Sequence, residues 1–264
     1  FQVGMEIKRE MVSGELSSIK QSILPVAGAL GGMLVPALIF ILFNSGTEFA
    51  NGWGVPMATD IAFSLGIASL LTGRVPLALK IFLTALAIID DLGAIVAIAI
   101  FYTSTIKFIY LFSGLGIFVL LLVLTRFKVK FGFWNFLLGA ALWFCFFNSG
   151  VHATIAGVLF AFTIPIKKLS GIEHALHNYV NFLIIPVFAL ANTAIVIPSG
   201  FTEHMTNSLS LGIIAGLLFG KPIGIVLFCW LLVKLKIGQL ADGITWKHMI
   251  GLGLLAGIGF TMSI

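Results

Sequence analysis

Two adjacent carboxylates, Asp90 and Asp91, lie in an apolar run, Leu77–Tyr102, that is long enough to cross a lipid bilayer. A carboxylate at membrane depth costs about 3 kcal/mol on insertion scales, and such acids usually mark an ion or proton pathway. The structural alternative is a buried acid that only hydrogen-bonds between helices. The pair therefore indicates an ion or proton pathway in a membrane.

Three other ionisable side chains fall at or near membrane depth: Asp60, His152 and Lys221. Neighbours on a helix point about 100° apart, so Asp90 and Asp91 face different partners. A lone mid-span cation is costly, and Lys221 is therefore expected to pair with a carboxylate, even if only structurally. Asp60 could cap a broken helix end, and His152 could simply cap or hydrogen-bond after a tight turn.

Paired carboxylates in a medium of low dielectric constant have raised, coupled proton affinities, because burial and like charge both disfavour double ionisation. Na⁺ and Li⁺ are hard cations that favour oxygen ligands. The same oxygens can hold either protons or a small cation. Competition at one site that opens alternately to each side would couple the two fluxes.

The composition is that of a protein that spans a membrane several times. The 264 residues are 59% hydrophobic and 9% charged, with a mean hydropathy of +1.14, whereas soluble domains carry about 25% charged residues. Apolar runs of about 20 residues predict helices rather than a barrel. The net charge of +5 lies in short loops and does not indicate nucleic-acid binding. Cys145 and Cys229 read as small buried hydrophobic residues.

The sequence predicts a single membrane domain, 1–264, with about eight full spans and two partial ones. Phe1 to about Met11 would end an earlier helix. Because the chain starts without Met and stops inside an apolar run, we expect a fragment that lacks both ends. The predicted spans are Ile23–Phe43, Gly54–Leu71, Leu77–Tyr102, Ile106–Thr125, Phe133–Phe147, Gly150–Ile166, Tyr179–Ile197, Leu209–Val233 and Met249–Ile264.

Lys and Arg are concentrated in every second loop, which predicts the orientation of the chain in the membrane. The intervening loops have only Lys107, at one border. By the positive-inside rule the basic set is cytoplasmic. It contains Lys8, Arg9, Lys20, Arg74, Arg126, Lys128, Lys130, Lys167, Lys168, Lys234, Lys236 and Lys247.

Two spans are unusual, and glycine loosens a helix. Gly54–Leu71 carries Gly54, Pro56, Asp60 and Gly66, and Met249–Ile264 carries Gly251, Gly253, Gly257 and Gly259. Unwound backbone at membrane depth is tolerated where it lines a cavity or is buried in protein. Close packing of small residues is the simpler alternative. The pairing of two such spans, one carrying Asp60, favours a transport site.

Charged residues also cluster at predicted cytoplasmic helix ends. Since histidine changes charge most readily near pH 7, such a cluster could sense pH. Ordinary solvated helix ends are the alternative. The residues are Glu6, Lys8, Arg9 and Glu10 in one segment and Glu173, His174 and His177 in another.

Seven segments closely resemble the NhaA-type sodium/proton antiporters, in order over essentially the whole chain. They are GMEIKRE at 4–10, ATDIAF at 58–63, RVPLALKIF at 74–82, AIIDDLG at 87–93, GVHAT at 150–154, GKPIG at 220–224 and GIGFTMS at 257–263. The resemblance implies an all-α polytopic protein of a bacterial inner membrane, with inverted repeats and two broken, crossing helices. This family is itself a standard example of that architecture.

The resemblance also implies residue roles. Asp91 would be the main cation and proton carboxylate, and Asp90 its neighbour paired with Lys221. Thr59 and Asp60 would support the cation site on the first broken helix, where Asp60 offsets helix-end charge. Lys221 would balance the opposite helix ends. The pH-sensing residues would be Glu6, Arg9, Glu10, Glu173, His174, His177 and His152.

The implied activity is pH-regulated, electrogenic exchange of cytoplasmic Na⁺ or Li⁺ for external protons, two per Na⁺. The protein would be a transporter rather than an enzyme, with no cofactor, in contact with membrane lipid and homodimeric at full length. One alternative is an intramembrane aspartyl protease, in which Asp60 and Asp91 would share a proton. This sequence has no Gly-x-Gly-Asp segment, and a protease of this kind would not need Lys221. Another sodium-coupled carrier would need a larger polar cavity.

Overall fold

A computed structural model describes residues 1–14, 19–71, 75–102, 106–193, 206–241 and 243–259. In these ranges the regular elements are helical. The α-helices are α1 Gln2–Ser13, α2 Ile19–Asn44, α3 Ile61–Leu70, α4 Leu77–Phe101, α5 Phe108–Arg126, α6 Phe133–Ser149, α7 Thr154–Thr163, α8 Ile166–Tyr179, α9 Ile185–Thr193, α10 Ser208–Ala215, α11 Lys221–Lys234 and α12 Trp246–Ala256. A 3₁₀ helix spans Ala50–Met57, and π-helical turns span Val180–Ile184 and Gly216–Gly220.

Four helical segments of the described residues are long and apolar enough to cross a membrane. They are Ser22–Asn44, Leu77–Phe101, Phe108–Arg126 and Ser208–Lys234. Two shorter apolar helices are α6 and α7. The predicted eight full spans stay a prediction, as do the inverted repeat and the single membrane domain. The predicted ends of two spans, 194–197 and 260–264, and the basic residue Arg74 lie outside the described residues.

The chain divides into two compact units. The first comprises Phe1–Gly14 and Ile95–Pro186, and the second comprises Glu15–Ala94 and Val187–Ile264. In the first unit, α1 packs on α7, and α5 and α6 pack on each other. Its buried core is apolar and includes Met5, Leu121, Leu142, Phe160 and Leu169.

In the second unit, the central contact is between α2 and α11. Glycines make it close: a Cβ on Gly31 would lie 2.1 Å from the Gly224 carbonyl oxygen. Small residues allow helix backbones to approach in this way. The part of α4 that carries Asp90 and Asp91 also belongs to this unit.

The predicted span Gly54–Leu71 is interrupted. The 3₁₀ helix ends at Met57, Ala58 has an extended backbone, and α3 begins after Asp60. In the last predicted span, α12 ends at Ala256 and residues 258–259 are not helical. The first of these two spans thus contains a broken helix, in line with the loosening expected of glycine, whereas a break in the last span stays a prediction.

Two other segments differ from the predicted spans. The helix in Gly150–Ile166 covers only α7, ten residues. The helix of the predicted span Tyr179–Ile197 instead begins at Ile166, directly after Pro165. Proline fixes its own backbone angle and favours extended backbone before it, so a new helix begins there. Lys167 and Lys168 therefore lie in the first turn of α8.

Candidate functional site

A buried ion pair joins α4 to the start of α11. Lys221 Nζ lies 2.8 Å from Asp90 Oδ2, with 0% and 1% of the two side chains exposed. Lys221 Nζ also donates to Thr59 Oγ1 over 2.6 Å, and Thr59 Oγ1 lies 2.6 Å from Asp90 Oδ2 as a donor. Three groups that are far apart in sequence thus form one hydrogen-bonded cluster.

The second carboxylate oxygen of Asp90 takes no part in this cluster. Asp90 Oδ1 is buried and accepts no hydrogen bond from the described residues. The adjacent Asp91 is also buried, with 7% of its surface exposed. In the described part of the chain, no three His, Cys, Asp or Glu side chains could hold a metal ion together. A transported cation at these carboxylates would therefore need hydroxyl, backbone or water oxygens as further ligands.

Hydrogen bonds connect the break before α3 to the end of α12. Asp60 N–H donates to Ile258 O over 2.7 Å, and Thr59 Oγ1 lies 3.1 Å from Ala256 O. Asp60 is also the N-cap of α3, since its Oδ1 accepts from the Phe63 N–H over 3.1 Å. A carboxylate at a helix N-terminus is stabilised by the helix dipole. The break before α3, the end of α12 and the ion pair therefore meet at Thr59.

Ser64, one turn after Asp60, was not singled out from the sequence. It is fully buried, and its Oγ donates to Leu255 O over 2.8 Å. A serine in an apolar helix gives little signal by itself, because it can bond to a carbonyl of its own helix. Only the neighbouring end of α12 reveals its role as a tie between two helices.

A separate charged cluster lies in the first unit. Arg9 Nη1 is 2.6 Å from Glu173 Oε1, and Arg9 Nε is 3.6 Å from Glu10 Oε1. A cavity of about 360 Å³ is lined by Arg9, Ser170, Glu173, His174 and His177. The structure therefore brings together five of the seven residues that the resemblance implies for pH sensing, since Glu10 pairs with Arg9.

Glu6 adds an electrostatic link to this cluster. It lies on α1, which is not among the four long apolar segments. Burial raises the pKa of the Glu6 carboxyl above its usual value, and the Glu173 carboxylate raises it further, whereas Arg9 lowers it. Glu173 is thus close enough to Glu6 to act on its carboxyl group.

His152 lies apart from this cluster. It is exposed and precedes Thr154, the first residue of α7. The charged cluster on α1 is beside the other end of that helix, where Lys8 Nζ donates to Phe162 O over 2.7 Å and also to Ile164 O. Ten residues of helix, about 15 Å, separate the two ends. The sequence placed Lys8 among the orienting basic residues and in the charged cluster, but it did not predict these two hydrogen bonds.

Comparison with known proteins covers the whole chain. Residues 1–264 match the family described as Na⁺/H⁺ antiporter 1. Na⁺/H⁺ antiporter NhaA 2 of Flavobacterium johnsoniae is 55% identical over 99% of this chain and 66% of its own length. The NhaA proteins of Dechloromonas aromatica and Citrobacter koseri are 51% and 49% identical over 99% of this chain and 70% and 69% of theirs. The chain thus spans about two thirds of its relatives' length.

These relatives are named as antiporters, which are transporters rather than enzymes, so the predicted class is confirmed and the protease alternative is excluded. The predicted location in a bacterial inner membrane is confirmed as well, by the family and by four apolar helices of spanning length. With a match along its entire length and relatives near 50% identity, the chain belongs to the NhaA family of Na⁺/H⁺ antiporters.

Proposed function

We propose that this chain forms the ion pathway of a transporter that exchanges cytoplasmic Na⁺ or Li⁺ for external protons. The observation that carries the proposal is the buried cluster of Asp90, Thr59 and Lys221, beside Asp91, where the break before α3 meets the end of α12. Buried acids in a membrane are costly and mark ion pathways. The family to which the chain belongs supports the same exchange.

The two carboxylates have unequal roles in this proposal. Asp90 Oδ2 is occupied by Lys221 and Thr59, so Asp90 is held in place. Asp91 is then the carboxylate that exchanges a proton for the cation. Asp90 Oδ1, with no hydrogen-bond partner in the described residues, could supply a further oxygen ligand. Lys221 balances the charge of Asp90 as long as both groups are ionised.

Competition supplies the coupling. A buried carboxylate that has lost its proton attracts a cation, and a bound cation disfavours protonation. If the interrupted helices open the site alternately to each side, neither ion crosses without exchange for the other. The proposed stoichiometry, two protons per Na⁺, follows the resemblance and makes the exchange electrogenic. It requires a second titrating group, and Asp90 with Lys221 is the nearest candidate pair.

Regulation by pH is assigned to the cluster in the first unit, with Glu6, Arg9, Glu10, Glu173, His174 and His177. Histidine is the side chain type that changes charge most readily near pH 7, and this cluster contains two histidines. The Arg9–Glu173 pair would respond to that change, because His174 and His177 line the same cavity. His152 is proposed as a separate contributor at the far end of α7.

Everted membrane vesicles test the exchange directly. A respiration-driven proton gradient, followed with a pH-sensitive dye, should dissipate on addition of Na⁺ or Li⁺ when the vesicles carry the protein. Asp91→Asn should abolish this response. Glu48→Gln, which changes an exposed acid outside both clusters, is the control and should retain it. Full exchange by Asp91→Asn would contradict the site assignment.

We also propose a homodimer in the lipid membrane, on the strength of the family resemblance. Mass measurement of the purified protein in detergent, corrected for bound detergent and lipid, checks this. A mass of one chain at all protein concentrations would contradict it.

A further inference from the structure

The backbone immediately before Lys221 departs from the α-helix. Residues Gly216–Gly220 form a π-helical turn between α10 and α11, in which the Lys221 N–H donates to Gly216 O, five residues back. Such a turn holds one residue more than an α-helical turn, and isolated π-turns occur frequently at functional sites. An extra residue rotates everything that follows by about 100° relative to a continuous α-helix.

This rotation decides where Lys221 points. If α10 continued as a regular α-helix, the residue that faces Asp90 would be Gly220 rather than Lys221. Lys221 itself would point about 100° further around the helix. The 2.8 Å ion pair with Asp90 therefore depends on the extra residue of the turn.

Pro222 gives the turn a physical cause. Proline has no N–H, and in an α-helix its ring clashes with the carbonyl four residues earlier, here that of Leu218. A wider turn relieves this clash. The Leu217 carbonyl oxygen would accept from the N–H four residues later in an α-helix and five residues later in a π-helix. The Lys221 N–H bonds to Gly216 O instead, and Pro222 has no N–H, so neither residue donates to Leu217 O.

The surrounding helices fit this widened backbone closely. A Cβ on Gly220 would lie 2.9 Å from Pro36 Cα, and one on Gly216 would lie 3.0 Å from Pro56 Cβ. On α12, a Cβ on Gly253 would lie 2.6 Å from Pro222 Cα. The turn is thus closely packed against Pro36 of α2 and Pro56 of the 3₁₀ helix, and Pro222 just after it is closely packed against Gly253 of α12.

We propose that Pro222 is a positioning residue, which imposes the wide turn Gly216–Gly220 and so sets the register in which Lys221 points at Asp90. The inference rests on the proposed function, since it assigns Pro222 a role in holding the exchange site. Pro222 acts through Lys221 and touches no transported ion.

The test combines a substitution with a deletion. Pro222→Ala restores the N–H and allows a regular α-helix, which turns Lys221 away from Asp90. Deleting Leu218 in the Pro222→Ala background removes the extra residue and returns Lys221 to its original direction. Leu218 is 50% exposed, so the deletion empties no buried site. Pro25→Ala, at a buried proline inside α2, is the matched control for restoring an N–H to a membrane helix.

Two readouts are needed, the unfolding temperature in detergent and the pH profile of exchange in vesicles. Pro222→Ala should lower the unfolding temperature and reduce exchange by roughly tenfold to a hundredfold, the scale of a misplaced group. The Leu218 deletion should recover both and restore the original pH profile. In a Lys221→Ala background, Pro222→Ala should add no further loss of stability.

Wild-type stability and exchange in Pro222→Ala would overturn the inference, and so would failure of the deletion to rescue it. Losses that add to those of Lys221→Ala would also overturn it, since Pro222 would then act independently of the lysine. If the unsubstituted protein shows no exchange at all, the proposed function fails. The unfolding temperatures still decide whether Pro222 positions Lys221.

Discussion

Lys221 Nζ and Asp90 Oδ2 are joined by a hydrogen bond of 2.8 Å, although the two residues are 131 positions apart in the chain. Both side chains are buried. Neither charge can turn to water, so each depends on the other. A buried pair of this kind adds little net stability compared with an apolar pair, but breaking it leaves an uncompensated charge.

Lys221→Ala is therefore expected to destabilise the protein by about 3–5 kcal/mol, the scale for removing one partner of a buried pair. Thermal unfolding in detergent measures this loss. Lys221→Ala combined with Asp90→Asn should be more stable than Lys221→Ala alone, because the orphaned charge is gone. If Lys221→Ala abolished exchange at unchanged stability, direct transport chemistry would have to replace the ion-pair role.

Thr59→Val removes the hydroxyl that links Lys221, Asp90 and the end of α12, while it keeps the side-chain volume. Leaving buried polar partners unsatisfied costs about 1–3 kcal/mol per group. We expect lower stability and a weaker apparent affinity for Na⁺ in vesicles. Thr59→Ser retains the hydroxyl and is the control. Equal behaviour of the valine and serine variants would show that the hydroxyl is dispensable.

Glu6 should give the folded protein a distinctive dependence on pH. Burial raises the pKa of the Glu6 carboxyl in the folded state above its usual value, and Glu173 raises it further, while Arg9, Gln2 and Glu10 also act on it. The folded state thus binds the proton more tightly than the unfolded state. Stability from Glu6 is complete below about pH 4.5 and is lost as the pH rises through the raised pKa.

Glu6→Gln should remove this loss, so that unfolding temperatures measured between pH 5 and 9 fall less steeply than in the unsubstituted protein. The pH range of exchange should shift as well if the cluster regulates transport. Glu48→Gln, at an exposed site, should leave both curves unchanged. An unchanged dependence of stability on pH in Glu6→Gln would mean that the pKa of this carboxyl is the same in the folded and unfolded states.

Lys8 should be needed to hold α1 against α7. Its ammonium group donates to Phe162 O and Ile164 O, while Thr125 Oγ1 donates to Thr163 O. The last carbonyls of a helix have no partner within it, and these side chains supply one. Lys8→Met keeps the apolar stem but removes the donor, and we expect a loss of about 1–3 kcal/mol.

Hydrogen exchange measured by mass spectrometry should locate this effect, with faster exchange in α1 and α7 of Lys8→Met. Lys168→Met removes a comparable contact, the 2.6 Å bond from Lys168 Nζ to Phe131 O, and serves as a control in the same unit. Equal acceleration in both variants would indicate a general loss of charge rather than a specific tie between α1 and α7.

The sequence by itself determined the membrane class, the helical elements and the groups that could carry ions. Apolar runs specify helices in lipid because every backbone group must be satisfied internally. The costs of Asp90, Asp91 and Lys221 at that depth singled them out without any structure. The glycines of two spans predicted loosened helices, and in the first of them the helix breaks after Met57, while in the second α12 ends at Ala256.

The tertiary structure decided which groups meet. Residue spacing left open which acid Lys221 would face, because that depends on the rotation of α11, and the π-turn before Lys221 changes the rotation. Likewise, Ser64 and Lys8 bond to carbonyl groups of other helices, about 190 and 150 residues away. Side-chain direction and packing between distant segments set these contacts, and no local pattern of residues encodes either one.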